Sequence, residues 1–125
     1  YHVEKKIELI QSKTSGKYSK GDLYKVTLTI EAMSPQSWIV LKDPIPTGAS
    51  IISSESSEGW VAFEERRMDR MQVFYEYLPQ GKTKYTYTVR LSQVGSFSLP
   101  STRVEAMYDP TQYGEIPNAG MDIHQ

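Results

Sequence analysis

Tyr24-Lys25-Val26-Thr27-Leu28-Thr29-Ile30-Glu31-Ala32 decides the fold. Tyr24, Val26, Leu28, Ile30 and Ala32 are apolar and alternate with Lys25, Thr27, Thr29 and Glu31. Successive side chains of an extended strand point to opposite faces, so this spacing predicts a strand buried on one side and wet on the other. Tyr85, Tyr87, Val89 and Leu91 repeat the rhythm against Lys84, Thr86, Thr88 and Arg90. Met71, Val73, Tyr75 and Tyr77 form a third stripe, and Val104, Ala106 and Tyr108 a fourth, against Arg103, Glu105 and Met107. Ile7–Ile10, Trp38–Leu41 and Ser50–Ser53 read as shorter strands.

Working outward, turn residues separate these runs at the intervals an antiparallel sandwich needs. Ser15-Gly16, Lys20-Gly21-Asp22, Ser34-Pro35 and Gly95-Ser96 are such breaks. Pro44, Pro46 and Gly48 stop one strand. Pro79-Gln80-Gly81-Lys82 places glycine where a positive φ is needed and is expected to join the third and second stripes as a hairpin. No segment holds a helical period of useful length. The expectation is an all-β antiparallel sandwich of about seven strands, macroglobulin- or fibronectin-like. Residues 1–110 are read as a single sandwich domain and 111–125 as an irregular tail. Ser53–Gly59 is read as a mobile polar loop, Trp38 as core and Trp60 as exposed.

With 125 residues there is room for one domain with a real core. Lys plus Arg number 14 against 15 Asp plus Glu, a net charge of −1, so the basic stripe that nucleic acid or an anionic membrane surface would require is missing. There is no cysteine, which excludes disulfides, thiolate metal sites and cysteine nucleophiles from this chain. The first residues are neither a start methionine nor a leader, and the chain is expected to be a piece of something longer.

Little suggests catalysis. His2 and His124 sit at the extreme ends, and Glu64 and Glu65 are adjacent, which points their carboxylates to opposite faces of a strand. Phosphate-loop, dinucleotide and zinc-protease motifs are lacking. We expect no enzyme, no cofactor and no metal site. Glu64, Glu65, Arg66, Asp69 and Arg70, from a run of mixed charge, are candidate interdomain contacts, because arginine holds carboxylates with two parallel hydrogen bonds. Met107 is an apolar side chain on an otherwise charged face, a hint of a partner surface. Tyr108 is nominally core-facing but ends its strand before Asp109-Pro110.

Lys42-Asp43-Pro44-Ile45-Pro46-Thr47-Gly48-Ala49 resembles the Asp-Pro-x-Pro-x-Gly turn of the C-terminal domain of bacterial alpha-2-macroglobulins. Phe63-Glu64-Glu65-Arg66, Asp69-Arg70, Tyr77-Leu78-Pro79-Gln80-Gly81 and Tyr87-Thr88-Val89-Arg90 follow in that family's order. So do Gly95-Ser96-Phe97 and the run Leu99 to Pro110, with Glu105-Ala106-Met107-Tyr108 at its centre. The resemblance implies a macroglobulin-type sandwich in a protease-trapping inhibitor of the periplasm or cell envelope, with a host-defence role and a lipid-anchored parent. It implies that the domain packs on the thioester domain of the same parent chain, meets target proteases only through the full-length protein, and touches neither nucleic acid nor membrane. Met107 and Tyr108 then become the side chains that shield the thioester. Strict alternation sends the two to opposite faces, so both reach one partner only if the strand ends or twists at Met107, before the Asp109-Pro110 turn. Two rival readings are a fibronectin- or immunoglobulin-like spacer of a surface adhesin, and a carbohydrate-binding module built on Trp60.

Overall fold

The computed structural model describes residues 1–14 and 16–125, with Pro110 described by its backbone alone. In chain order the strands are β1 (His2–Gln11), β2 (Tyr18–Ser19), β3 (Leu23–Ala32), β4 (Gln36–Pro44), β5 (Ser50–Ser56) and β6 (Trp60–Arg66). They continue as β7 (Arg70–Leu78), β8 (Gly81–Arg90), β9 (Gly95–Phe97), β10 (Thr102–Ala106), β11 (Asp109–Ile116) and β12 (Met121–His124). One sheet has the order β1-β3-β8-β5 and a second β11-β10-β4-β7-β6, while β2-β12-β9 forms a small third. The fold is all-β, and the only parallel pairing among the described residues is β12 with β2.

The Tyr24–Ala32 stripe is the spine of the first sheet. Tyr24 pairs with Val89, Val26 with Tyr87 and Leu28 with Tyr85, so both apolar sets share one face. That face meets Ile39, Leu41, Met71, Val73, Tyr75 and Val104 of the second sheet, all nearly inaccessible to water. Burying a side chain of this kind is worth about 1.5–3 kcal/mol, and period-two patterning gathers many of them on one surface. The opposite face of β3 keeps its lysine, threonines and glutamate half-exposed.

The structure corrects five expectations. Pro79-Gln80-Gly81-Lys82 does not close a hairpin: β7 lies in the second sheet and β8 in the first, so the turn, with Gly81 at φ 102°, carries the chain across the core. Ser53–Gly59 is not a loop throughout, since β5 runs to Ser56 and pairs with β8 from Ser50↔Arg90 to Ser56↔Tyr85. Its serines had no apolar alternation to betray a strand, and its partner supplies the order. Residues 111–125 are not irregular. β11 continues to Ile116, and Met121 and Ile123 are buried as β12 slots between β2 and β9. Trp38 is not core: it is 37 % exposed and is the only non-glycine among the described residues with positive φ, at 56°. Tyr108 does not face the core but is 83 % exposed, because β10 has already ended.

Candidate functional site

Strand β10 stops at Ala106 and β11 starts at Asp109, which makes Met107 and Tyr108 the connection at a hairpin tip. Beyond the Ala106↔Asp109 pair the register jumps to Glu105↔Tyr113, so the chain between Asp109 and Tyr113 bows out of the ladder. The Asp109 carboxylate closes that bow. Its Oδ1 accepts from the Thr111 hydroxyl at 2.5 Å and the Thr111 N–H at 3.3 Å, and its Oδ2 from Gln112 Nε2 at 3.1 Å. The Thr111 hydroxyl is the main reason the Asp109 carboxyl lies below its ordinary range.

The tip is anchored on its other side by Trp38, whose carbonyl accepts the Met107 N–H at 2.9 Å. A left-handed backbone at an aromatic residue costs about 1–3 kcal/mol, and it falls on the residue that holds the tip. Tyr108 at 83 % and Met107 at 38 % exposure are therefore presented together by a bonded scaffold. β10 ends at Ala106, one residue before Met107, so strand alternation does not govern where these two side chains point. A phenol ring and a thioether on one tip can cover a partner's apolar surface.

Below the tip the outer face of the second sheet is charged and internally paired. Lys42 Nζ meets Glu105 at 3.0 Å, and Arg103 meets Glu105 at 2.9 Å and Glu115 at 3.3 Å while its guanidinium lies 3.9 Å over the Tyr113 ring. Burial opposes the charged form of Glu105, but hydrogen bonds from Lys42 and Arg103 outweigh it and hold the carboxyl low.

The charged run lies elsewhere. Ala106 pairs with Ile39 of β4 and Arg70 with Pro44, so the stretch Ile39–Pro44, roughly 17 Å of strand, separates the tip from the β6–β7 turn. Glu64 accepts from Tyr85 at 2.6 Å and from Ser54 at 3.0 Å, an internal latch between the sheets. Glu65 takes two hydrogen bonds from Arg67, at 2.7 and 3.1 Å, and Arg66 donates to the Ile51 carbonyl at 3.4 Å. Asp69 lies 3.5 Å from Arg70, which also donates to Gln72. Trp60 is 68 % exposed, its ring 5.7 Å from that of Tyr77.

Sequence reading missed an interior polar cluster. Lys5 Nζ, with its side chain 6 % exposed, lies 2.8 Å from Asp43 Oδ1, whose side chain is 1 % exposed. Thr102 Oγ1 donates to the same carboxylate at 2.5 Å, and the Tyr87 hydroxyl donates to its Oδ2. Burial first, and the Asp43 charge second, push the Tyr87 phenol well up. Lys5 also donates to Asn118 Oδ1 at 2.9 Å, and Asn118 Nδ2 donates to Thr102 Oγ1 at 2.9 Å and the Pro100 carbonyl at 2.8 Å. A signal was present: Lys5 shares the inward parity of Val3 and Leu9, and Asp43 that of Ile39 and Leu41. Among the described residues no group of three His, Cys, Asp or Glu side chains could hold a metal ion.

Residues 1–111 match the family described as the bacterial alpha-2-macroglobulin MG10 domain. The chain is 34% identical over 101 residues to the circularly permutated Ras protein 2 of Dictyostelium discoideum, covering 78% of this chain and 3% of that one. It is 26% identical over 116 residues to an alpha-2-macroglobulin homolog of Nostoc, covering 84% of this chain and 6% of that one. Trypsin-activated alpha-2-macroglobulin from Escherichia coli superposes with a TM-score of 0.82 at 18% identity, over 99% of this chain and 10% of that chain. The chain thus spans a small fraction of the length of these three proteins.

Proposed function

The chain belongs to the bacterial alpha-2-macroglobulin MG10 domain family, and on that premise we propose that it is the docking and lid domain of a protease-trapping parent. As a macroglobulin domain it is not an enzyme. Its work is to sit on the thioester domain of the same parent, cover the reactive bond with Met107 and Tyr108, and withdraw after the parent is cut. The thioester lies outside this chain, which has no cysteine.

The observation that carries this reading is Tyr108, 83 % exposed on a tip held by Trp38 and Asp109. An aromatic side chain buries about 150–250 Å² when covered, so leaving one in water on a rigid hairpin suits a surface that is covered in the assembled parent. A thioester beneath a ring and a thioether is kept from water, and its hydrolysis is slow until the domains part. Glu65, Arg66, Asp69 and Arg70 form a second, separate contact at the opposite end of the sheet; Glu64, turned to Tyr85, contributes least to it. The parent acts outside the cytoplasm, lipid-anchored in the periplasm or cell envelope, and meets proteases as a whole.

The test is a thiol-release time course on the parent protein without protease, wild type beside Tyr108→Gly. Rapid release from the variant and none from the wild type is the expected result. Equal slow release from both overturns the lid role, and no thiol from either, even with added amine, means the parent has no working thioester.

A further inference from the structure

We propose that Lys5, Asp43 and Asn118 form a self-acting cross-linking site in which the Lys5 amine displaces ammonia from the Asn118 carboxamide, leaving an amide bond between the first strand and the segment before the last. This goes beyond the lid reading and does not depend on it.

The geometry supplies each part. Lys5 Nζ is 2.9 Å from Asn118 Oδ1 and 2.8 Å from Asp43 Oδ1. The amide carbon is one carbonyl bond, about 1.2 Å, from that oxygen, so a small torsion brings amine and carbon to the roughly 3–3.5 Å of a near-attack pair. The walls are dry: Lys5 stands opposite Leu28 on β3, and Leu28, Leu41, Tyr24 and Tyr87 are all at most 2 % exposed. In such surroundings a base in direct contact can strip an ammonium, because passing the proton to the carboxylate removes two buried charges at once.

The step balances without a further reactant. Lys5 enters as an ammonium and Asp43 as a carboxylate. Asp43 accepts one proton, freeing the lone pair of Nζ, which attacks Asn118 Cγ and pushes the carbonyl electrons onto Oδ1. When the carbonyl re-forms, the Cγ–Nδ2 bond breaks, and the departing nitrogen takes the second Nζ proton. Asp43, in contact with Nζ, and Thr102 together form the relay for it: the Thr102 hydroxyl donates to Asp43 at 2.5 Å and accepts from Asn118 Nδ2 at 2.9 Å, so one proton passes on to the leaving nitrogen while Asp43 keeps one. The products are a neutral secondary amide, a neutral Asp43 carboxylic acid and ammonia. Ammonia has a way out, since Asn118 is only half-buried and a cleft of about 530 Å³ reaches Asp43 and Pro100.

Asp43 touches the reacting nitrogen and is the catalytic residue, whereas Thr102 and the Pro100 carbonyl position the leaving amide. Hydrogen bonds alone would also tolerate a static lysine here, so the readout must be covalent. Purified protein is denatured, weighed intact, then digested with trypsin. We expect a mass one ammonia below that of the sequence, no cleavage after Lys5, and a branched species joining residues 1–6 to 104–125. Lys5→Arg, which keeps the charge but not the nucleophile, and Asn118→Ala should each restore the linear peptides; so should Asp43→Asn. Full sequence mass with two separate peptides after prolonged incubation overturns the proposal. Loss of ammonia that persists in Lys5→Arg would come from ring closure at Asn118 alone and overturns it equally.

Discussion

The two ends of β10 show opposite solutions to the same rule of burial. At Thr102 the strand enters an interior where buried Lys5 and Asp43 and half-buried Asn118 satisfy one another. Just past Ala106 it leaves Met107 and Tyr108 in solvent. A buried ion pair and an exposed aromatic are both exceptions to ordinary partitioning, and such exceptions are the informative residues of a fold. The interior cluster has its partners inside the chain, so altering it should be felt as stability. At the tip the backbone is bonded to the rest of the chain but the Tyr108 ring is 83 % exposed, so altering that ring should be felt chiefly where a second surface is present.

Alkali should act on the interior most of all. Burial is the leading cause of raised phenol pKa values at Tyr24, Tyr75, Tyr85 and Tyr87, with Tyr75 pushed up to about 12. A folded pKa above the unfolded value of 10.0 means the native state holds the proton more tightly. The stabilisation is therefore complete below pH 10.0 and is lost as pH rises through the folded values. Tyrosinate absorbance of these rings should appear together with the loss of far-ultraviolet circular dichroism; ionisation at full native signal would contradict this. Asp43→Ala comes next. It strands Lys5, Tyr87 and Thr102 without their acceptor and should cost about 3–5 kcal/mol in urea unfolding. Thr102→Val removes a single hydroxyl from the same network and should cost about 1–3 kcal/mol, chiefly for the Asp43 and Asn118 groups left unpaired. Tyr108→Gly should move the same unfolding curve by no more than about 0.5 kcal/mol, as for other exposed sites. A drop of several kcal/mol there would make the tip structural and erase the contrast.

Much of this was open to reading. The stripes at Tyr24–Ala32 and Tyr85–Leu91 fall in register on one face, and the Glu105-Ala106-Met107-Tyr108 run marks the tip in an otherwise charged strand. The inward lysine was legible too, on the parity of Val3 and Leu9, but an alternation pattern ranks residues by polarity and so passes over a buried charge. Asp43 lies on another sheet and Asn118 lies 113 positions away, and no local pattern measures such distances. The same limit applies to the Ser53–Ser56 end of β5 and to β12: the serines have weak strand preference, Met121-Asp122-Ile123-His124 is too short to carry a pattern, and a neighbouring ladder completes each.

Alternation of side-chain polarity by itself determined that this chain is an all-β sandwich, because period two is a property of neighbouring residues and survives any arrangement of strands. The family motif, likewise local, singled out Met107 and Tyr108, which lie just past the end of β10. Only the tertiary structure decided that Pro79–Lys82 crosses between sheets, that the strand stops at Ala106 so that Met107 and Tyr108 share a tip, and that Lys5, Asp43 and Asn118 converge. Those outcomes depend on which strands pack together, and packing is chosen by the free energy of the whole core, in which no single segment holds more than its own share.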